Sequence, residues 1–364
     1  MKISDYYTYA PKSKIKAGDA NPNGKYQFYT SSPDESRRCD EYLYDCKAIV
    51  MGTGGSATLH YYDGKFSTST DCLTLIPNEK IRAKYLYYFF LANMDVLEAG
   101  FKGAGLKHTS KGYIDNIEIT KIPSLPSQDK IVNLFDELAL RIEKERRQIE
   151  KLDELIKARF VEMFGNYTME KTIGEVATIC RGASPRPISK FITKSNGENW
   201  IKIGDAKEDD IYITKTKELV TEDGANRSRR IKPGDFILSN SMSFGRPYIS
   251  KIYGCVHDGW LIVSDYEQSF LPLFFYYAIR SELVQAQFRK SVAGAVVKNL
   301  NSDLVRSVKI VIPSIESQEK FSSFAKQVDK SKFVLSNKLT MCDFYIRLIH
   351  DRVMHGRINL RVTQ

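Results

Sequence analysis

From Ile131 onward, alternating steps of four and three residues visit Ile131, Phe135, Leu138, Ile142, Glu145, Ile149, Leu152, Ile156, Arg159 and Met163, and eight of these ten are apolar. The residues between them are mostly polar or charged. The same steps taken 190 residues later visit Phe321, Ala325, Val328, Lys332, Leu335, Leu339, Cys342, Ile346, Ile349 and Val353, nine of ten apolar. An apolar seam repeating every three and a half residues belongs to a helix that buries one stripe against another helix. Ser124 and Ser314 stand where an N-cap belongs, Pro126 is tolerated in a first turn, and Gly165 and Gly356 are natural stops. The pattern predicts two helices of about 40 residues, each roughly 60 Å long at 1.5 Å per residue.

The seams belong to a longer duplication, and such self-similarity governs the fold class. "IPSLPSQDKI" (122–131) returns as "IPSIESQEKF" (312–321) with six identities. Upstream, the aromatic run "KYLYYFFLANMDV" (84–96) resembles "PLFFYYAIRSELV" (272–284). "GAGLKHTSKGYIDNIEI" (103–119) and "GAVVKNLNSDLVRSVKI" (294–310) keep Lys107 and Lys298 in register, and "FVEMFG" ending at Gly165 answers "RVMHG" ending at Gly356. A tandem copy of about 190 residues supplies each helix with a partner in the same chain. A pseudo-twofold relation would make that pair antiparallel, with a globular domain at each end. The competing arrangement has each helix packed on its own domain or on a separate partner.

Between the seams the pattern changes to short apolar runs bounded by Gly, Asp or Pro. "CKAIVMG" (46–52), "DCLTLIP" (71–77), "GDFILSN" (234–240) and "WLIVSD" (260–265) read as strands. Two of them lead into small polar loops, "GTGGSATLH" (52–60) and "SNSMSFGRP" (239–247), which would let backbone approach a ligand closely. The fold class is therefore α+β, and 364 residues point to at least two domains.

Net charge is +10. The helical stretch 125–165 carries −1 and 315–364 carries +4, which leaves +7 on the rest. The globular parts are the basic parts, and such an excess fits a polyanionic partner. Cysteines 39, 46, 72, 180, 255 and 342 are scattered without CxxC or zinc spacing, so neither a disulfide framework nor a structural metal is expected. No run approaches a membrane span and the start lacks the apolar stretch of a signal peptide, so the expected location is the cytoplasm, with no membrane partner.

Catalytic motifs are scarce. "FKGAG" (101–105) superficially fits an adenosylmethionine loop, but no (N/D/S)PP(Y/F) tetrapeptide accompanies it and the second copy reads "SVAGA". GxxxxGK is missing, "SPDES" (32–36) lacks the spaced acid and lysine of a metal-dependent nuclease, and His60, His108, His257, His350 and His355 have no local triad context. The chain reads as a binder with no catalysis of its own. Its contact candidates are side chains able to reach phosphates or base edges. In the first globular part these are Lys14, Lys16, Asn21, Asn23, Thr53, Ser56, His60, Lys107 and His108. In the second they are Arg181, Ser184, Arg186, Lys190, Asn226, Arg227, Arg229, Arg230, Ser241, Ser243, Arg246, Trp260, Lys298 and Asn299, with "NRSRRIK" (226–232) the densest cluster.

"EITKIPSLPSQDKIVNLFDELALRIEKERRQIEKLDELIKARFVEMFG" resembles the central helical region of the specificity subunit of type I restriction-modification systems. "TIGEVATICRGASPRP" (172–187), "WIKIGDA" (200–206), "IKPGDFILSNS" (231–241) and "AGAVVKNLNSDL" (293–304) resemble that family's second target recognition domain, and "KSKIKAGDANPNGKYQFYTSS" (12–32) the opening of its first. The distal helix departs from the family pattern in being less charged and in ending "HDRVMHG". The resemblance implies a target recognition domain over 1–123, a central helix over 124–165, a second recognition domain over 166–313 and a distal helix over 314–364. It further implies that each domain reads half of a bipartite, asymmetric double-stranded DNA site, with the antiparallel helices fixing the gap. Chemistry would then belong to partners: two modification subunits that methylate adenine with S-adenosylmethionine, and restriction subunits that use ATP and Mg2+, with no cofactor on this chain. The competing classes are a coiled-coil scaffold or adhesion protein with two ligand-binding domains, and a degenerate DNA methyltransferase.

Overall fold

The computed structural model describes residues 1–119, 122–207, 210–240, 245–293 and 299–349, without the side chains of 291–293. The chain forms two compact units, one of Met1–Arg147 with the chain from Leu335, the other of Gln148–Val334.

In the first unit six strands, β1 (Tyr7–Tyr9), β2 (Tyr26–Tyr29), β3 (Arg38–Cys39), β4 (Tyr44–Gly52), β5 (Leu59–Thr68) and β6 (Cys72–Pro77), form one sheet in the order β1-β6-β4-β5-β2-β3. Only the β2–β5 pairing is parallel among its ladders. Side-chain alternation along β4 sends Ile49 and Met51 into one core and Ala48 and Val50 into another, so the central strand is buried on both faces. The aromatic run 84–96 is helical: α1 (Ala83–Ala92) buries Tyr85, Leu86, Tyr88, Phe89 and Phe90 beside Ile49, Leu75 and Phe135.

The second unit holds two five-stranded sheets. One runs Arg229–Ile231, Gly254–Val256, Glu198–Ile201, Glu218–Val220, Ile192–Thr193 in spatial order. The other runs Tyr212–Ile213, Pro247–Ser250, Phe236–Ser239, Trp260–Ser264, Thr178–Arg181. All four runs read as strands from the sequence are strands. Alternation again divides the core: Phe236, Leu238, Leu261 and Val263 pack with the aromatic helix Pro272–Arg280, whereas Ile237, Trp260 and Ile262 face a second cluster.

The central helix spans Leu125–Phe164 and the distal helix Ile315–Ile349. All ten central seam positions, and the nine distal ones from Phe321 to Ile349, are buried or half-buried, while most residues between them are exposed; Val353 and Gly356 lie outside the described residues. In the first unit Ile131 and Phe135 share a core with Ile346 and Ile349, and Glu145 Oε1 lies 3.9 Å from Lys338 Nζ. In the second, Phe160 and Phe164 meet Phe321, at ring separations of 5.3 and 5.7 Å, and Lys332 Nζ donates to Asp153 at 2.5 Å. Within each unit rising numbers on one helix meet falling numbers on the other, so the pairing is antiparallel. Each helix half also packs on the globular part of its own unit, so both packing arrangements open to the sequence coexist.

The repeated phrase has a structural cause. Gln128 and Gln318, both 0% exposed, sit in the first turns of the two long helices. Gln128 Oε1 accepts the Arg82 N–H at 2.7 Å and its Nε2 donates to Pro123 O at 2.9 Å. Gln318 Oε1 accepts the Leu271 N–H at 2.8 Å and its Nε2 donates to Pro313 O at 3.0 Å and Ser269 O at 2.9 Å. Arg82 and Leu271 are the N-caps of the aromatic helices, so each glutamine satisfies an N–H that helix geometry leaves orphaned.

Candidate nucleic-acid interface

In the first unit the loop after β4 is pinned by short-range bonds. Thr53 donates to Asp71 O through both its backbone nitrogen, at 2.8 Å, and its hydroxyl, at 2.9 Å. Gly55 N donates to Lys107 O at 2.8 Å and Thr109 N to Thr53 O at 3.0 Å, which stitches this loop to the segment 101–109. A Cβ on Gly54 would come within 3.3 Å of the His108 ring, so a larger residue there would crowd the junction. Thr53, Ser56, Lys107 and His108 are thereby brought into one loop cluster, the last three exposed. Ile15 O accepts Thr70 N at 2.8 Å, which ties the segment carrying exposed Lys14 and Lys16 beside Asp71. Asn21 is held by the Asp40 carboxylate at 2.9 and 3.0 Å, whereas Asn23 is exposed.

His60 is not part of this surface. Its ring is 3% exposed, stacks on Tyr29 at 4.6 Å, and engages Glu35 through Nδ1 at 2.8 Å and Ser32 O through Nε2 at 3.2 Å. β5 alternation turns it inward, and the polar character that suggested a contact is consumed internally.

In the second unit the organising residue is Asp258, which the sequence did not single out. Its carboxylate accepts Ser184 Oγ–H at 2.7 Å and Arg186 at 3.1 Å, and its carbonyl accepts Arg181 Nε–H at 2.9 Å and Asn240 Nδ2–H at 3.0 Å. The Ser184 hydrogen bond and the Arg186 charge hold the Asp258 carboxyl below its usual range, against the opposing effect of burial. Arg181, Ser184 and Arg186 are thus assembled on one loop, with both guanidinium groups reaching solvent. Leu300 N donates to Asn240 O at 2.9 Å, repeating the Thr109–Thr53 stitch of the first unit. Asn299 beside it is exposed; Ser241, Ser243 and Lys298 lie outside the described residues.

The "NRSRRIK" cluster is largely neutralised. Arg230 forms three bonds to the Glu198 carboxylate at 2.8 to 3.0 Å and one to Asn226 Oδ1 at 2.9 Å. Arg227 pairs with Asp223 at 3.1 Å and lies over the Phe191 ring at 5.4 Å. Arg229 is exposed and has no ion pair among the described residues. Glu198 is 32 residues from Arg230 and meets it because their strands flank Gly254–Val256 in one sheet. Lys190 is exposed on the turn Ile188–Lys190, Arg246 is half-buried beside Lys157 and Arg280 in a cavity of about 310 Å³, and Trp260 is 0% exposed in the core.

Three K-x-G-D stretches share one turn. In "KAGD" (16–19), "KIGD" (202–205) and "KPGD" (232–235) the lysine backbone N–H donates to the aspartate carboxylate three residues on, each at 2.9 Å.

A duplicated mixed-sheet domain, with basic loops in each copy and an antiparallel helix pair built from both, defines a double recognition module. Residues 1–154 and 167–340 match the family model for the type I restriction modification DNA specificity domain. The chain belongs to that family of specificity subunits. It is 24% identical to the type I restriction enzyme EcoDI specificity subunit of Escherichia coli over 48% of this chain and 38% of that protein, so this match spans well under half of the relative. It is 22% identical to the MjaVIII specificity subunit of Methanocaldococcus jannaschii over 86% and 79% of the two chains. The crystal structure of the type I S subunit from M. genitalium superposes with a TM-score of 0.65 at 16% identity, covering 99% of this chain and 96% of that one, which shows the shared fold. Among the described residues no helix is long and apolar enough to cross a membrane.

Proposed function

We propose that this chain is the DNA sequence-specificity subunit of a type I restriction-modification complex and reads a bipartite, asymmetric site in double-stranded DNA. One globular part reads each half-site, and the paired helices set the unread gap between them. The observation that carries the reading is duplication at the level of single bonds. The Gln128 and Gln318 clamps and the Thr53 and Asn240 stitches recur, while the loop side chains they position differ. A shared frame with unlike contact surfaces is what an asymmetric target in two parts requires. Two linked readers also gain effective concentration when both engage.

On this reading the cations of each loop cluster hold phosphates, and the Arg, Asn and Ser side chains among them reach base edges. Chemistry lies with partners that dock on the exposed helix faces: two modification subunits that methylate adenine, and restriction subunits that translocate and cleave. S-adenosylmethionine, ATP and Mg2+ are bound by those subunits. The test is to map methylated adenines in cells carrying this chain with its modification subunits. A single motif of two unlike parts at constant spacing is expected, and a continuous or symmetric motif would contradict the reading.

A further inference from the structure

In the first unit the segment 101–109 carries an apolar side chain that the core does not take up. Phe101 is 7% exposed, whereas Leu106 is 68% exposed. Lys102 N donates to His108 O at 2.9 Å and His108 N to Lys102 O at 3.0 Å, which closes residues 103–107 into a tip, and Gly55 N on Lys107 O fastens that tip to the loop after β4. Gly103 has φ +147°, and a Cβ there would stand 2.9 Å from the Leu106 carbonyl oxygen. The chain therefore folds back on Leu106 because this position is glycine.

A lone exposed leucine is ordinary on a protein surface. This one is set apart by its place. It stands at the tip of a pinned backbone, with exposed Lys102, Lys107 and His108 on the same tip and exposed Ser56 on the loop stitched to it. The carboxylate that touches this loop, Glu98, is occupied by the Ala57 N–H at 2.9 Å. The second copy keeps the register: "GAGLK" (103–107) answers "GAVVK" (294–298), so an apolar residue, Leu106 or Val297, precedes the lysine in both, although Val297 lies outside the described residues.

We infer that Leu106 reads a thymine. Its isobutyl group packs on the 5-methyl group of one thymine in the half-site of the first unit, while Lys102 and Lys107 hold neighbouring phosphates. The flanking cations point to a polyanion, and on the base edges of a duplex major groove the apolar group is the thymine methyl. Insertion of the leucine between base pairs would instead require unstacking and a bent duplex. The inference rests on the DNA-reading function proposed above and assigns one base within it.

The test replaces each thymine of the mapped site in turn by deoxyuridine, which removes the methyl group alone. Binding of the chain assembled with its modification subunits is measured by fluorescence anisotropy at fixed salt. Wild type is expected to lose about fourfold in affinity at one thymine of one half-site, the worth of one buried methyl group. Leu106→Ala should bind the thymine and deoxyuridine duplexes equally at that position, and Leu106→Met, which keeps a long apolar side chain, should retain the difference. Both changes are at an exposed side chain, and melting curves check that the variants are folded. The inference is overturned if no thymine replacement weakens wild-type binding, or if the same loss persists in Leu106→Ala. A uniform loss in Leu106→Ala without any deoxyuridine effect would make the leucine a wedge, and failure of Leu106→Ala to assemble would make it a protein contact; either result also overturns it. Failure of the underlying function looks different, because wild type would then show no preference for the mapped site over an unrelated duplex of equal length.

Discussion

Gln318 holds Leu271: from the first turn of the distal helix its Oε1 accepts the N–H that opens the aromatic helix, at 2.8 Å and out of contact with solvent. Gln128 does the same for Arg82 at 2.7 Å. Gln318→Ala would strand the Leu271 N–H and two carbonyl oxygens. The expected loss is about 2–3 kcal/mol of unfolding free energy, measured by urea denaturation. Gln318→Glu should cost at least as much, because a carboxylate cannot donate to Pro313 O and Ser269 O. A variant within about 0.5 kcal/mol of wild type would show the clamp to be dispensable.

This pair also shows what the sequence discloses. The identity of Gln128 and Gln318 is visible in the repeated phrase, but its cause is not, because Arg82 and Leu271 lie 46 and 47 residues upstream. The helical seams are legible nearly residue by residue, since burial on a helix follows a local period. The candidate site is less so. Arg181, Ser184 and Arg186 stand out as polar residues near glycine, yet Asp258, which assembles them, is 72 to 77 positions away. The charge run at 226–232 cannot reveal Glu198, and nothing local distinguishes buried His60 from exposed His108.

Salt dependence separates DNA-binding residues from structural ones. Alanine at Arg181, Arg229 or Lys107 should weaken duplex binding by the assembled modification complex and reduce the slope of log K against log salt by about one for each phosphate no longer neutralised. Arg230→Ala, whose guanidinium is committed to Glu198, should leave that slope unchanged. Equal slopes for all four variants would remove the loop clusters from the interface. His60→Ala should lower the melting temperature instead, because the buried stacking on Tyr29 and the bond to the exposed Glu35 disappear.

His257 makes stability depend on pH. Its proton affinity in the folded chain lies below the ordinary 6.5, because burial and Lys202 disfavour the charged ring. The unfolded state therefore takes up a proton first as pH falls, so the stabilisation present above 6.5 declines toward the folded value. His257→Gln should lose less stability than wild type between pH 7 and pH 5, as read by melting temperature. Parallel pH curves would contradict the assignment.

Glu145 is the one acidic residue of the central seam, 7% exposed, with Oε2 unpartnered and Oε1 only at 3.9 Å from Lys338 and 4.0 Å from Arg141. Incomplete pairing of a buried charge costs more than the ion pair returns. Glu145→Leu should raise unfolding free energy by about 1–3 kcal/mol, and a loss of that size would show that the pairs with Lys338 and Arg141 are together net stabilising.

The most direct test exchanges residues 168–312 for the corresponding stretch of a related specificity subunit and maps methylated adenines in cells carrying the hybrid with its modification subunits. The account predicts that one half of the motif changes while the other half and the gap are retained. A change in both halves, or an altered gap with both halves intact, would contradict separate reading by two domains on a common helical spacer.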